Sequence, residues 1–212
     1  MGESLQALLA IMIGYLLGSV LPADLLARWR GVDIRTVGDG NPGTVNAIKG
    51  LGWGLGLLAA VYDLAVGIVA IEIAGLLGVP AGVGYLAGIA TIVGHRFPVF
   101  LHFRDGGQAM AASAGMLLYG VVIAVSSGWL SVADIALLLI VLAGAYAWMR
   151  SGSFAAVIML PLLIAELLLA PADWQFVAFM AVVVGRIWFV QLPVARHAYT
   201  CRAVRPSQTS TR

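Results

Sequence analysis

A short polar loop is the segment of this chain best suited to chemistry. Residues 38–46 read Gly-Asp-Gly-Asn-Pro-Gly-Thr-Val-Asn in a sequence that is otherwise mostly apolar. The glycines Gly38, Gly40 and Gly43 permit positive φ angles and close approach of the backbone, so consecutive N–H groups can point at one anion. Such a loop is costly in hydrocarbon unless its backbone groups find partners within the protein. The pattern therefore predicts an anion-binding loop.

The side chains around this loop suit a phosphate. Arg35 and Lys49 lie on either side of it, and both bind phosphate oxygens through charge-assisted hydrogen bonds. A basic loop that only sets membrane topology is the alternative interpretation. Asn41 and Asn46, placed among the glycines, favour the phosphate site. The predicted substrate-binding residues here are Arg35, Gly38, Asp39, Gly40, Asn41, Gly43, Asn46 and Lys49.

A second polar segment, residues 94–109, lies further along the chain. Gly106 and Gly107 stand just before a predicted helix, where the chain could close on a ligand near the positive helix N-terminus. His95 is the candidate general base by its chemistry. A structural hydrogen-bonding role for this histidine remains the alternative.

Composition places both segments in a membrane protein. The chain has 212 residues, of which 61% are hydrophobic and 10% charged, which is typical of transmembrane helices. We predict an all-α polytopic fold with about seven transmembrane helices in one domain, residues 1–200, and a polar cytoplasmic tail, residues 201–212. The apolar runs fall at about 5–27, 53–78, 79–94, 109–125, 131–149, 154–170 and 174–192.

The basic residues predict the orientation. Every Lys and Arg except Arg186 lies in one alternate set of connections or in the C-terminal tail, which places the N-terminus outside and the C-terminus in the cytoplasm. Polar residues on one side of the membrane argue against a pore, so the alternative function of a transporter is supported by the helix count alone.

Within the second apolar run, we expect Asp63 to brace the loop at residues 38–46. We expect no metal, because the histidines and acids lack recognised ligand spacing, and no cofactor and no nucleic-acid partner.

These segments resemble, in order, motifs of the bacterial acyl-phosphate:glycerol-3-phosphate acyltransferases, the PlsY family. The resemblance is dense over residues 14–113 and faint afterwards. The matching segments are Gly14-Tyr15-Leu16-Leu17-Gly18-Ser19, Gly31-Val32-Asp33-Ile34-Arg35, the loop at 38–46, Tyr62-Asp63-Leu64 and residues 94–113.

The resemblance implies a reaction and its location. A fatty acyl group would pass from acyl phosphate to the 1-hydroxyl of glycerol 3-phosphate, giving lysophosphatidate for phospholipid biosynthesis in the bacterial inner membrane. It implies membrane lipid and the peripheral enzyme that makes acyl phosphate as partners. It also implies Gln108 and His197, with His95, as catalytic residues, and Gly106, Gly107 and Ser153 as further substrate-binding residues.

Several positions depart from the family pattern. Asp39 stands where the family has serine, Lys49 where it has arginine, Gln108 and Val66 where it has lysine. These changes remove donors near the expected phosphates, and each charged hydrogen bond is worth roughly 1.5–3 kcal/mol. A catalytically impaired paralogue that binds lipid, an anion or a partner protein is therefore the alternative to an active acyltransferase.

Overall fold

The computed structural model describes residues 2–203, which form helices and short loops without any strand. This confirms the predicted all-α fold. The α-helices in this range are α1 (Glu3–Ser19), α2 (Pro22–Trp29), α3 (Thr44–Leu76), α4 (Ala81–Arg96), α5 (Met110–Ser126), α6 (Val132–Met149), α7 (Gly152–Leu169) and α8 (Trp174–Ala203). Short 3-10 turns, Ile34–Thr36 and Val99–Leu101, lie in the two connections that contain the predicted site.

The helices confirm a polytopic membrane protein. Among residues 2–203, five helices are long and apolar enough to cross a membrane, and α1 with α2 forms a sixth candidate that bends by 40°. Helix α5 is apolar but has only 17 residues. The count of seven spans and the orientation of the termini stay predictions.

Two helix boundaries differ from the predicted runs, each because of a particular residue. The first run breaks before Pro22, which lacks an N–H donor and begins α2 instead of continuing α1. Helix α3 begins at Thr44, whereas the predicted run begins at residue 53. The segment 44–51 is helical but too polar to be recognised as part of a membrane span. Gly52, with φ 82° and ψ 172°, separates this segment from the rest of α3.

The segment 44–51 folds back on the following helix. A Cβ added at Gly56 would lie 2.6 Å from the Ile48 Cα, so only glycine permits this approach. This segment, which begins within the loop at residues 38–46, is thereby held against the start of the long apolar part of α3.

The described residues fall into two compact units that divide after Gly120. In the first unit α1 crosses α4 at small residues. A side chain at Gly14 would overlap the Ala87 backbone, and one at Gly18 would overlap the Thr91 backbone. Small residues at such crossings let membrane helices approach closely. Helix α1 leads through α2 to the loop at residues 38–46, and α4 leads into the loop at residues 97–109, so this crossing positions both loops.

The second unit is built from α6, α7 and α8. The Ser131 side chain and the Asp134 side chain cap the start of α6 reciprocally. The Trp188 indole donates to the Val157 carbonyl oxygen at 3.1 Å and joins α8 to α7. Helix α8 continues through Pro193 to Ala203, beyond the predicted end at residue 192, and residues 204–212 of the predicted tail lie outside the described residues. The single domain over residues 1–200 stays a prediction.

Candidate active site

The glycine-rich loop, residues 38–46, surrounds a carboxylate. An Asp39 carboxylate oxygen accepts hydrogen bonds from the Asn41 backbone N–H at 3.2 Å and from the Asn46 side-chain amide at 2.6 Å. The Asn41 hydrogen bond first, and the Asn46 hydrogen bond next, hold the pKa of the Asp39 carboxyl below its usual value. The loop therefore holds an anion that is one of its own side chains, and binding of a substrate anion by these residues stays a prediction.

Asn46 organises the interior of this loop. Its side chain is 2% exposed, and its amide nitrogen also donates to the Asn41 carbonyl oxygen at 2.9 Å. Its amide oxygen Oδ1 is buried without a hydrogen-bond partner and faces Gly38. A side chain at Gly38, where φ is 59°, would overlap that oxygen. Gly38 is therefore required both for its backbone angle and for its small size.

The second loop, residues 97–109, meets the glycine-rich loop directly. The Gln108 backbone N–H donates to the Asn41 side-chain oxygen at 3.0 Å. The Gly107 N–H donates to the His95 carbonyl oxygen at 2.9 Å, and a side chain at Gly107 would overlap the His95 imidazole. The structure thus brings His95, Gly107, Gln108 and Asn41 together, although they come from two distant parts of the chain.

An ion-pair network joins the same two loops at a second point. Asp24, which is 3% exposed, pairs with Arg28 at 2.8 Å and with Arg35. The Arg35 guanidinium also donates to the Asp105 carbonyl oxygen at 2.7 Å. Arg35 therefore bridges α2 and the second loop, and its predicted contact with phosphate stays a prediction.

Sequence reasoning did not assign Asp24 a role. Its spacing of four residues before Arg28 on one helix face is the signal that would have found the pair. The expected brace from α3 is confirmed, because the Thr44 hydroxyl donates to the Asp63 carboxylate at 3.2 Å. Asp63 is 2% exposed and holds the start of α3 under the glycine-rich loop.

Two clefts adjoin this network and share Asp24 and Arg28. One is polar, with a volume of about 460 Å³, and is also lined by Asp33, Arg35 and Asp105. The other is mainly apolar, with a volume of about 340 Å³, and its apolar lining residues are Val20, Leu21, Leu25, Phe100 and Leu101. A polar cleft beside an apolar one suits a ligand with a charged head and a hydrocarbon tail.

The remaining predicted residues lie around or beyond this cluster. Lys49 is exposed, and its charge contributes to the lowered pKa of Asp39. Gly106 packs so tightly that a side chain there would overlap the Arg96 carbonyl oxygen. Ser153 lies half-buried in the first turn of α7, and the exposed His197 on α8 has its Nε2 3.6 Å from the Cys201 sulfur. Both belong to the second unit, and their part in the site stays a prediction.

Fold and site together define a class of protein. It is a multi-pass helical membrane protein with an anion-holding loop, a buried histidine and an apolar cleft at one site. Comparison with known proteins narrows this class. A sequence model of the glycerol-3-phosphate acyltransferase family matches residues 8–201. The chain belongs to that family.

Individual relatives agree with the family match. The chain is 45% identical over 114 residues to glycerol-3-phosphate acyltransferase 1 of Deinococcus radiodurans, covering 54% of this chain and 57% of that one. It is 41% identical over 115 residues to glycerol-3-phosphate acyltransferase of Thermus thermophilus, covering 53% of this chain and 56% of the relative. The matches thus span little more than half the length of these curated relatives.

The fold matches over a greater length. The crystal structure of PlsY (YgiH), an integral membrane glycerol 3-phosphate acyltransferase, aligns in its glycerol 3-phosphate form with a TM-score of 0.68 and 28% identity. That alignment covers 92% of this chain and 93% of PlsY. The lysophosphatidic acid form of PlsY aligns with a TM-score of 0.67.

Proposed function

We propose that the protein transfers a fatty acyl group from acyl phosphate to the 1-hydroxyl of glycerol 3-phosphate, forming lysophosphatidate. The observation that carries this proposal is the junction of the two loops, where Asn41 binds the Gln108 backbone and Gly107 lies against His95. The PlsY structures in glycerol 3-phosphate and lysophosphatidic acid forms support the choice of acceptor and product.

The reaction needs little covalent chemistry from the protein. The acceptor hydroxyl oxygen forms an ester bond with the acyl carbon, the bond from that carbon to the phosphate oxygen breaks, and phosphate leaves with the electron pair. The acyl donor is already activated, so positioning and charge stabilisation supply much of the catalysis. In this proposal His95 takes the hydroxyl proton, and the second loop at Gly106 and Gly107 closes over the bound phosphate.

The donor's two parts match the two clefts that share Arg28. The donor's phosphate would bind Arg28 and Arg35 in the polar cleft, although three aspartates also line that cleft. The hydrocarbon chain suits the apolar cleft lined by Leu25 and Phe100. This arrangement supports an amphiphilic donor that enters from the lipid side, without a soluble carrier for its chain.

A transfer assay tests the proposal. The full-length protein in lipid vesicles receives palmitoyl phosphate and labelled glycerol 3-phosphate, and lysophosphatidate is measured against empty vesicles. Palmitoyl-CoA as donor and glycerol as acceptor are run in parallel. We expect product from acyl phosphate with glycerol 3-phosphate and none above background from acyl-CoA. No product from any pair would overturn the proposed activity.

One observation favours a second candidate function, a catalytically impaired scaffold that binds lipid, an anion or a partner protein. The Asp39 carboxylate occupies the donors that a substrate phosphate would use. If this candidate is correct, wild-type protein is inactive and the double variant Asp39→Ser, Gln108→Lys gains activity. Turnover by the wild type excludes it.

The proposed site lies on the cytoplasmic side of the bacterial inner membrane, where a peripheral enzyme that makes acyl phosphate can reach it. Cys201 is the single cysteine of the chain and is exposed, so it reports orientation. A membrane-impermeant maleimide should label it in inverted vesicles and not in intact cells. In a Cys201→Ser background, Ser131→Cys should show the opposite pattern. Labelling of both positions from the same side would refute this orientation.

A further inference from the structure

The donors of the glycine-rich loop are already engaged by acceptors of the protein. The Asn41 N–H and one amide hydrogen of Asn46 bind the Asp39 carboxylate, and the other amide hydrogen of Asn46 binds the Asn41 carbonyl oxygen. The Gly40 N–H donates to the Val37 carbonyl oxygen at 3.0 Å. An incoming phosphate therefore meets a carboxylate in the loop, where open donors would be expected.

The neighbouring guanidinium groups do not offset this carboxylate directly. Arg28 and Arg35 both pair with Asp24, and Arg35 also binds the Asp105 carbonyl oxygen. Lys49 is exposed, and its charge acts on Asp39 itself. A dianion placed beside an ionised carboxylate is repelled at short range.

The exposure of Asp39 gives the loop a way to admit a ligand. The side chain is exposed, so it can rotate into water without losing contacts in the core. Asn41 and Asn46, which bind it, are held in place by other bonds to Gln108 and to the Asn41 backbone. The donors would therefore remain aimed at the vacated position when the carboxylate leaves.

We infer that Asp39 is an internal competitor of the acceptor, so that the phosphate of glycerol 3-phosphate enters the glycine-rich loop only when the Asp39 carboxylate leaves it. Asp39 is thus a specificity-determining residue that weakens the affinity of the site for phosphate-bearing acceptors. This inference rests on the proposed function for the identity of the acceptor. The occupancy of the loop by Asp39 is independent of it.

Two substitutions at residue 39 separate the effect of its negative charge from the effect of its side chain engaging the loop's donors. Asp39→Asn keeps the size of the side chain and an oxygen acceptor for the Asn41 N–H, but removes the charge. Asp39→Ser also withdraws the side chain from the donors. We expect the KM for glycerol 3-phosphate to fall by about tenfold in Asp39→Ser, as one recovered charged contact would give, and by less in Asp39→Asn. The change should appear in the KM for the acceptor more than in the kcat, because it affects acceptor binding.

A charge-matched control is available in the same connection. Asp33→Asn removes one negative charge, while its side-chain oxygen can still accept from the Arg35 N–H as Asp33 does at 3.0 Å. If Asp33→Asn lowers the KM as much as Asp39→Ser does, the effect is one of net charge and the inference is wrong. The inference also fails if neither variant at residue 39 lowers the KM.

Direct binding keeps this test apart from the test of activity. Inorganic phosphate is titrated calorimetrically into the full-length protein in lipid nanodiscs, without acyl phosphate, and the melting temperature of each variant is recorded. Tighter phosphate binding by Asp39→Ser than by wild type supports the inference even if no variant makes lysophosphatidate, a result that would count against the proposed function alone. Equal phosphate affinity in the folded variants and the wild type overturns the inference.

Discussion

The glycine-rich loop is organised by its side chains, whereas the second loop is organised by its backbone. In the first, Asp39 and Asn46 make the hydrogen bonds that close the loop. In the second, the Phe103 N–H binds the Pro98 carbonyl oxygen and the Gly107 N–H binds the His95 carbonyl oxygen, both at 2.9 Å. The two loops nevertheless meet at the same cluster.

The backbone of the second loop is conformationally strained. Four of its non-glycine residues have positive φ angles between 53° and 63°, namely His102, Phe103, Asp105 and Ala109. Left-handed backbone costs an ordinary residue roughly 1–2 kcal/mol. The strain is carried beside the candidate site, where the contacts with Arg35 and Asn41 hold the loop in this form. The second loop should therefore tolerate substitution less well than the first.

The largest effect on the transfer rate is expected from a substitution at Gly106 of the second loop. In Gly106→Ala the methyl group would overlap the Arg96 carbonyl oxygen, and a backbone atom cannot rotate away as a side chain can. We expect the transfer rate to fall by about 100-fold or more, because a displacement of about 1 Å at a reacting site has that effect. Initial rates with acyl phosphate and glycerol 3-phosphate measure it.

Gly144→Ala in α6 is the matched control. A side chain at Gly144 would have no neighbour within 4 Å, so alanine should leave the rate unchanged and stabilise the helix by up to about 1 kcal/mol. Equal rates for Gly106→Ala and wild type would contradict the tight packing of Gly106 against the Arg96 backbone.

The next largest effect is a loss of folding stability, which should differ between the two arginines that pair with Asp24. The Arg35 side chain is 27% exposed and the Arg28 side chain is 61% exposed. Arg35→Ala removes a partner of a buried carboxylate and the bridge to Asp105, and should cost about 2–3 kcal/mol of stability. Arg28→Ala should cost less than about 1 kcal/mol, as exposed ion pairs do. Thermal unfolding in detergent compares them, and equal losses would show that the bridge between loops adds nothing.

A smaller effect is expected from the direct hydrogen bond between the loops. Asn41→Ala removes the acceptor of the Gln108 N–H, which can then bind water, so the loss should be about 1 kcal/mol. We expect the KM for glycerol 3-phosphate to rise several-fold, because the loops are no longer aligned. Thr36→Val is the control, since it removes the exposed hydrogen bond to the Asp33 carbonyl oxygen within one connection. A larger rise in KM for Thr36→Val would mean that the contact between loops is not the important one.

The same contrast explains what the sequence could predict. The glycine-rich loop was predictable because Gly38, Asn41 and Asn46 have turn and hydrogen-bonding preferences that are local. The backbone conformation of the second loop was not predictable, because Phe103 and Ala109 have no local preference for positive φ and adopt it only under tertiary contacts. Hydrophobicity alone predicted the apolar helices, but not the break before Pro22 or the helical segment 44–51.

Residues that act through distant partners were harder to assign. Arg35 was predicted to hold phosphate, but its bonds to Asp24 and to the Asp105 carbonyl depend on the crossing of α1 and α4, which sequence does not specify. Asp39 was predicted as a substrate-binding residue, and the structure shows its carboxylate bound by the loop. The composition of the loop indicated an anion site without indicating which anion fills it.

The smallest expected effect concerns the pH dependence of the first loop. Because the folded-state pKa of Asp39 is lowered, chiefly by the Asn41 hydrogen bond, folding favours the ionised carboxylate. Its stabilising contribution is present above the ordinary aspartate pKa of about 4 and is lost as the pH falls through the lowered value. The melting temperature of wild type should exceed that of Asp39→Asn by a constant small amount at neutral pH, and the two should converge only in strong acid. If the two melting temperatures converged as the pH was raised, the pH dependence would have the opposite sign, and the loop would not hold Asp39 as an anion. A stabilised loop with weaker phosphate binding is the combination that an internal competitor requires, so the two measurements at residue 39 should change in opposite directions.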